Sequence, residues 1–549
     1  MRIDRDSGIP IYLQIARQLK QAILAGEPGV GERLPPERRL AALLGVNRTT
    51  IVNAYRELAA DGLVSGQVGR GTIVTYRGGR QDAERSQIDR SYGTQSSLFS
   101  WVQEHDGDLN SAANGYERPR PAPLPWTQLF APTTDIRTDP LTHEAMTVAS
   151  RPDVIRFTTG TPSPELYPIE PIRALLDEAL HSAGPILLQH TPTEGYPPLR
   201  EAISGWTATT AARTGAQISV DPDQIVVVAG SQQALYLVAR SLVEPGDLVA
   251  VESPTYLQAL QVFRAAGARL LPIPIDQDGM NVDMLQDILP RRRPKLIYTL
   301  PTFQNPSGTV LSLNRRMRLL DLAARYQIPV IEDDPYGALR YDGRELPTLY
   351  ALDRSAGRQN VIYLSTMSKI LFPGFRIGWA ISPKPVVERM TLIKQIVDLE
   401  TNALAQWAVW AFIDRGMLQP HLDLLNAVYP LRRDRMLTAF DRDGHGLIQA
   451  DKPLGGMYLW CRLSEGLRVR DLIPEAAREG VAFIPGEAFH VDASSGRGRA
   501  SIRLNFTLPD EREIDEGIRR LGNALLRLAE YTDLDGQHIR SRRALTPIV

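Results

Sequence analysis

Lys369 stands in Ser365-Thr366-Met367-Ser368-Lys369-Ile370-Leu371-Phe372-Pro373-Gly374-Phe375-Arg376, one of six lysines among the 62 basic residues of this 549-residue chain. A lysine amine forms an imine with an aldehyde; an arginine guanidinium does not under ordinary conditions. A lysine behind small hydroxyl residues, with Arg376 following in the next turns of chain, has the parts needed to hold a phosphorylated aldehyde. The amine meets the carbonyl, Thr366 and Ser368 offer donors to the phosphate, and Arg376 offers a bidentate clamp. These residue types point to pyridoxal 5'-phosphate (PLP).

Three further constellations come earlier in the chain, and each has a chemical reason. Ala229-Gly230-Ser231-Gln232-Gln233 follows an apolar run and opens a helical pattern, so Ser231 and Gln232 present amides to an anion at a helix N-terminus. Pro301-Thr302-Phe303-Gln304-Asn305-Pro306-Ser307-Gly308 follows another run and offers Asn305 to a ring oxygen. Val330-Ile331-Glu332-Asp333-Asp334-Pro335-Tyr336 ends a third. There Asp333 can keep a pyridine nitrogen protonated, and Tyr336 can share the ring oxygen with Asn305. Each motif alone has a bland reading as a strand-to-helix turn; their common order makes the reading specific.

The elements that must position these residues are those of an α/β domain. Ile225–Val228, Leu248–Val251, Leu296–Thr299 and Pro329–Ile331 are short apolar runs between helical patterns, as in buried parallel strands. The organisation predicted is a first domain over 1–77, a linker over 78–150, a large α/β domain over 151–534 and a fraying tail over 535–549. Proline alternation in Arg118-Pro119-Arg120-Pro121-Ala122-Pro123-Leu124-Pro125 favours an extended connector. The single cysteine, Cys461, excludes an internal disulfide and suits a reducing cytoplasm. No signal peptide or apolar run of about 18 residues is present, so no membrane partner is expected.

Residues 1–77 hold 11 Lys/Arg against 7 Asp/Glu although the whole chain has a net charge of −1. Ile15, Leu19 and Ile23 recur at helical spacing, and Pro35-Pro36 opens a second helix with Leu40, Leu43 and Leu44 on one face, ended by Gly45. Asn47 caps a third, with Ile51, Tyr55 and Leu58 inward. Two strands, Gly62–Ser65 and Gly71–Val74, flank a basic tip. This is a winged helix-turn-helix. Its third helix enters a major groove: Arg48 reaches guanine or phosphate, Asn53 pairs with adenine, Thr49 and Thr50 donate to phosphates, and Arg70 on the wing enters a minor groove. A three-helix interaction module with incidental arginines is the alternative.

Residues 8–75 resemble a GntR-type winged helix on Pro10–Ile15, Gly31–Arg38 and Val46–Ile51. The resemblance implies DNA contact by Arg38, Arg48, Thr49, Thr50 and the wing at Gly69 and Arg70. It departs at Val52, where the family often has a basic residue. Residues 153–534 resemble fold-type I aminotransferases of class I/II. That resemblance implies Tyr256 stacked on the PLP ring, Arg503 on a substrate or effector carboxylate, and family turns at Gly160-Thr161-Pro162 and Gly455-Gly456-Met457. It departs at His190, where the family usually has a tyrosine reaching the phosphate of a neighbouring subunit. Together the two modules resemble the MocR (GabR-like) regulators of bacterial transcription. The fold expected is α/β: an N-terminal winged helix plus a transferase domain with a mostly parallel sheet and a smaller C-terminal subdomain. The function implied is a cytoplasmic, homodimeric, PLP-dependent regulator. It would bind double-stranded DNA in the nucleoid and sense a small amino compound, or PLP, through an imine of Lys369, with no metal. A working aminotransferase with an appended DNA-binding head is the rival, and a cofactor-free dimerisation scaffold is a third reading.

Overall fold

The computed structural model describes residues 10–24, 28–67, 71–75, 124, 129–130, 140–492 and 495–543. The chain divides into two compact units, Met1–Leu124 and Pro125–Val549.

In the first unit α1 (Ile11–Leu24) buries Ile15, Ala16, Leu19 and Ile23 on one stripe. α2 (Glu37–Leu44) ends because Gly45 adopts φ 62°, left-handed, and returns its amide N–H to the Ala41 carbonyl. α3 (Arg48–Ala60) starts where the Asn47 side chain accepts the Thr49 amide. Its inward face is Ile51, Ala54, Tyr55 and Leu58. The expected face of α2 needs correction: Leu40 and Ala41 are buried, but Leu43 is 72% exposed. At about 100° per residue the stripe of Leu40, Leu44 and Ala41 is centred about 50° past Leu40, and Leu43 lies about 110° from that centre, on its exposed flank. β1 (Val64–Gln67) pairs antiparallel with β2 (Gly71–Val74), Val64 opposite Val74. β1 begins two residues later than Gly62–Ser65 implied. The wing residues Gly69 and Arg70 lie outside the described residues.

In the second unit β3 (Ile155–Arg156) pairs with the short strand Val481–Ala482. Eight strands follow: β4 (Ile225–Val228), β5 (Leu248–Ser253), β6 (Arg269–Asp276), β7 (Gly279–Met280), β8 (Leu296–Thr299), β9 (Val330–Asp333), β10 (Val361–Thr366) and β11 (Gly378–Ile381). Their order is β4-β11-β10-β9-β8-β5-β6-β7. The neighbours from β10 to β6 pair parallel; β11 is antiparallel to both β4 and β10, and β7 to β6. β4, β8 and β9 are buried along their whole length, as continuous apolar runs must be when helices cover both sheet faces. A smaller antiparallel sheet is built from β12 (Ile448–Ala450), β13 (Tyr458–Leu463), β16 (Ser501–Asn505) and β15 (Ile484–Pro485), while β14 (Val481–Ala482) pairs with β3 outside it. The fold is thus the expected one.

Two boundaries differ from expectation. The linker over 78–150 ends early, because Pro140–Ala149 is a helix, and Ala149 packs with Val154 and Ala482 in a small core. The tail over 535–549 does not begin at Gly536, because the last helix runs from Glu511 to Arg543. No proline interrupts that stretch before Pro547, and one glycine costs a helix only about 1 kcal/mol.

Arg316, on the helix Leu313–Tyr326, is fully buried. Its guanidinium donates to the carbonyls of Leu311 (2.9 Å), Pro347 (3.0 Å) and Pro301 (2.7 Å) and to the Thr302 hydroxyl (2.9 Å). It therefore ties the loop leading to Asn305 to the segment before the helix Leu349–Ser355. Arg316→Leu should strip four buried acceptors of their donor and lower stability by about 3–5 kcal/mol, read from the denaturant midpoint. A loss under about 1 kcal/mol would show that the loops hold themselves.

Candidate functional site

The carboxyl ends of β8, β9 and β10 deliver the site, as expected for an open parallel sheet. After β8 the chain turns through Pro301 to Asn305; β9 ends on Asp333; β10 ends on Thr366 and passes into the short turn Met367–Lys369. The Lys369 amine donates to the Gly160 carbonyl at 2.7 Å. Burial lowers its pKa; Arg503 and Arg376 push the same way, while Tyr458 and Asp333 oppose. A neutral amine is the nucleophilic form.

Asp333 is 3% exposed. Its Oδ2 accepts the Tyr298 hydroxyl at 2.8 Å, and its Oδ1 has no partner. Burial pushes this carboxyl up to about 7, with Asp334 and Glu252 adding to the rise and Tyr298 and Lys369 opposing it. Asn305 Nδ2 donates to the Tyr336 hydroxyl at 3.3 Å, and its Oδ1 accepts from Arg503 Nη1 at 2.9 Å. Arg503 Nη2 donates to the Thr158 carbonyl at 2.8 Å, while its Nε is buried without a partner. The Arg503 guanidinium lies 4.1 Å from the Tyr458 ring centroid and 5.0 Å from that of Phe489. Its position is fixed by these π faces as well as by hydrogen bonds.

The anion cradle sits where β4 meets the helix Ser231–Leu242. Gly230 caps that helix with φ 84°, and a Cβ there would stand 2.5 Å from Arg376 Nη2. Arg376 donates to the Ser368 hydroxyl (3.3 Å) and to the carbonyls of Pro373 (3.1 Å) and Ala229 (3.0 Å). Ser231, Gln232, Ser368 and Arg376 are thus gathered round one helix N-terminus. The Thr366 hydroxyl is turned into the chain: it donates to the Ile377 carbonyl, lies 2.9 Å from the Ser368 hydroxyl and accepts the Ser368 amide, so it holds the lysine turn. The Tyr256 hydroxyl meets Gln232 Oε1 at 3.3 Å. His190 is exposed, with Nδ1 3.2 Å from Glu400 Oε1.

These residues fit PLP. Asp333 Oδ1 is a buried acceptor left for a ring N–H, the glycine-lined cradle suits a phosphate, Asn305 and Tyr336 suit the phenolic oxygen, and Lys369 faces a carbonyl and not a carboxylate.

Three contributors are absent from the sequence reading. Tyr298, a residue of an apolar strand, partners Asp333. Tyr458 follows Gly455-Gly456-Met457. It stands edge-on to Tyr336, with ring centroids 5.8 Å apart, and a Cβ on Gly160 would overlap its hydroxyl. Burial alone would raise the Tyr458 pKa, but Arg503 and Lys369 outweigh it and bring it below the ordinary value. Gln233 accepts the Ala229 amide and donates to Asp398, each at 2.7 Å, and Asp398 is held by the buried Lys394 at 2.8 Å. Only the glycine pair before Tyr458 gave a local signal.

In the first unit Arg38, Arg48 and Thr49 are exposed, and Thr50, Val52 and Asn53 are half-buried along α3. Arg48 Nε and Nη2 both rest on Glu37 Oε2, at 3.1 and 3.0 Å. The arginine is therefore braced across the helix-turn-helix.

Residues 152–521 match the aminotransferase class I and II family, and residues 11–74 match the gntR family of bacterial regulatory proteins. The chain belongs to the class I and II aminotransferase family and carries a gntR-type DNA-binding head. The HTH-type transcriptional regulator YisV of Bacillus subtilis is 30% identical over 524 residues, covering 95% of this chain and 98% of that protein. The probable rhizopine catabolism regulatory protein MocR of Rhizobium meliloti is 29% identical over 534 residues, 96% of each. Among solved structures, the α-aminoadipate aminotransferase LysN of Thermus thermophilus, complexed with N-(5'-phosphopyridoxyl)-L-leucine, superposes with a TM-score of 0.68 and 34% identity. That match covers 74% of this chain and 100% of LysN.

The raised pKa of Asp333 has a thermodynamic consequence. Between its unfolded value near 4 and its folded value of about 7, the folded state binds more protons, so its contribution to stability falls as pH rises through that window. Glu332, also raised to about 7 by burial, has the same sign, while His421 and His490, lowered by burial, have the opposite sign below about pH 6.5. The clean measurement is a difference. Cofactor-free wild type should lose melting temperature relative to Asp333→Asn between about pH 5 and about pH 8. A constant difference would mean that Asp333 titrates normally.

Proposed function

We propose that this chain is a PLP-dependent, DNA-binding transcriptional regulator that reads an amino compound, or PLP itself, through Lys369. One observation carries the reading: a buried carboxylate with one oxygen unpartnered stands with a lysine and an anion cradle in a chain that also has a helix-turn-helix. The full-length similarity to MocR and YisV supports regulation over metabolism.

PLP, when bound, supplies an aldehyde for amines and a protonated ring that draws electrons from them. The protein's residues do the rest. Lys369, its pKa lowered, offers the amine and takes up a proton when released. Asp333 Oδ1 accepts from the ring nitrogen, Asn305 and Tyr336 serve the ring oxygen, and Tyr256 covers the ring. Ser231, Gln232, Ser368 and Arg376 bind the phosphate, and Arg503, whose Nε has no partner, takes an effector carboxylate. Arg38, Arg48, Thr49, Thr50, Asn53 and the wing residues Gly69 and Arg70 meet DNA. The chain works in the cytoplasm as a homodimer whose two heads read paired half-sites. Effector binding favours one dimer state, and about 1–3 kcal/mol of coupling suffices to change operator occupancy. Among the described residues no helix is long and apolar enough to cross a membrane.

A second reading, working transamination, is favoured by the likeness to LysN and by the completeness of the Lys369, Asp333 and Arg503 set. Turnover of an amino acid with a keto acid at roughly 1–10³ per second would select it.

Two variants test the regulator. Lys369→Ala should keep operator affinity within about twofold in the absence of effector and lose all effector response, measured by gel shift; a preserved response would remove Lys369 from the switch. Arg48→Ala should weaken operator binding at least about tenfold, lower the salt slope by about one, and leave the visible spectrum of the cofactor-loaded protein unchanged. Intact operator affinity would move the groove contact off α3.

A further inference from the structure

Asp333 carries the ring-nitrogen role in the function proposed above, and the geometry of the carboxylate depends on one neighbour. Its two oxygens are not equivalent: Oδ2 accepts the Tyr298 hydroxyl at 2.8 Å, and Oδ1 is bare. Tyr298 lies on β8, one strand away from β9, and is fully buried. Its ring is held edge-on by Phe263, with centroids 5.6 Å apart. Among the described residues its hydroxyl donates to Asp333 alone. A carboxylate at the end of a strand, with one oxygen unpartnered, has no second hydrogen bond to fix its χ2, a torsion that is broad and roughly twofold. A fixed phenol on one oxygen removes that freedom.

We infer that Tyr298 is a positioning residue: its hydroxyl locks the Asp333 carboxylate so that Oδ1 alone is presented to the cofactor ring, and favours the ionised form of that carboxylate. The inference rests on the proposed PLP site but concerns a residue outside it. The phenol is suited to this role because it stays protonated. Burial first, then the charges of Asp333 and Glu252, raise its pKa well above the ordinary value, so it remains a donor throughout the working range. The other groups facing Asp333 cannot replace it. Asp334 and Glu252 are themselves carboxyl groups whose charge pushes the Asp333 pKa up, and Lys369 donates to the Gly160 carbonyl. Asp334 also spends its oxygens on the Gly337 amide and the Tyr363 hydroxyl.

The direction of the effect follows. Without the donated proton Asp333 becomes more basic and keeps its own proton at neutral pH. It then presents an O–H, and the positive charge it normally sustains on the ring is lost. A positive charge nearby lowers the pKa of a titrating cation, so its loss raises the pH at which the visible band titrates.

The test is Tyr298→Phe in the full-length chain, which keeps the ring against Phe263 and deletes the hydroxyl. PLP should bind about tenfold more weakly by fluorescence titration, as for one lost hydrogen bond to a charged group. The apparent pKa of the visible absorption band should rise by about one unit. Affinity and pKa both equal to wild type would overturn the inference. Tyr298→Phe leaves a buried carboxylate short of a donor and can lower the yield of folded protein, so a second pair is measured: Asp333→Asn and Tyr298→Phe/Asp333→Asn, neither of which buries an unpaired anion. If Tyr298 acts through Asp333, these two have the same PLP affinity and the same band pKa. A further tenfold loss in the double variant means that Tyr298 acts by another route, and the inference fails. Failure of all four proteins to bind PLP at all would instead reject the cofactor site, a result separable from the role of Tyr298.

Discussion

Four carboxylates are buried where the central strands end, and how each is satisfied shapes the second unit. Glu252 receives the Thr299 hydroxyl, the Leu300 amide and the Gln304 side chain. Glu332 receives the amides of Leu349 and Tyr350, and Asp334 receives Gly337 and Tyr363. Asp333 receives Tyr298 alone. A buried anion without donors costs several kcal/mol, so the loops that supply these donors cannot rearrange freely. Arg316, holding Pro301, Thr302, Leu311 and Pro347, adds a nearby positive charge and fixes the same loops from outside. Three of the carboxylates receive two or more donors from the protein, and among the described residues the fourth keeps one buried oxygen without a partner. That asymmetry distinguishes a binding site from a well-packed strand end.

The anion cradle is built on a similar economy of space. Gly230 and Gly378 face each other, and a Cβ on Gly378 would stand 2.7 Å from the Gly230 carbonyl carbon and the Ser231 amide. The close approach brings the helix N-terminus and the Arg376 guanidinium to one point. Gln233, Asp398 and Lys394 then brace the turn from behind, so the segment at 398–400 shares hydrogen bonds with the cofactor cradle. His190 and Thr191 bond to Glu400 in the same segment.

Much of this was legible in the sequence because the chemistry is local. Lys369 and Arg376 share one turn region, Asp333 ends an apolar run, and Asn305 lies in an Asn-Pro-Ser-Gly turn. The parallel strands were legible because burial on both faces removes polar alternation. Tyr298 and Tyr458 were not, since a tyrosine in a strand looks the same whether its hydroxyl meets solvent or a buried carboxylate. Their partners lie 35 and 122 residues away. Gln233 reads as a second glutamine in a helix, and only Asp398, 165 residues later, gives it a purpose. The exposed Leu43 and the helix Pro140–Ala149 depended on tertiary packing that periodicity in a short segment does not encode.

The scarcity of lysine acquires a further meaning from where the lysines sit. Lys20, Lys384 and Lys452 lie in ion pairs with aspartates, and Lys394 is sealed against Asp398. Lys369 instead faces a carbonyl and keeps a weakly basic amine. An aldehyde reaching this protein thus meets a surface on which positive charge is carried almost wholly by guanidinium groups that do not capture it. Besides Lys369 there are five lysine side chains, the exposed Lys295 among them, so the molecule carries its positive charge toward phosphates with few amines to compete for an aldehyde.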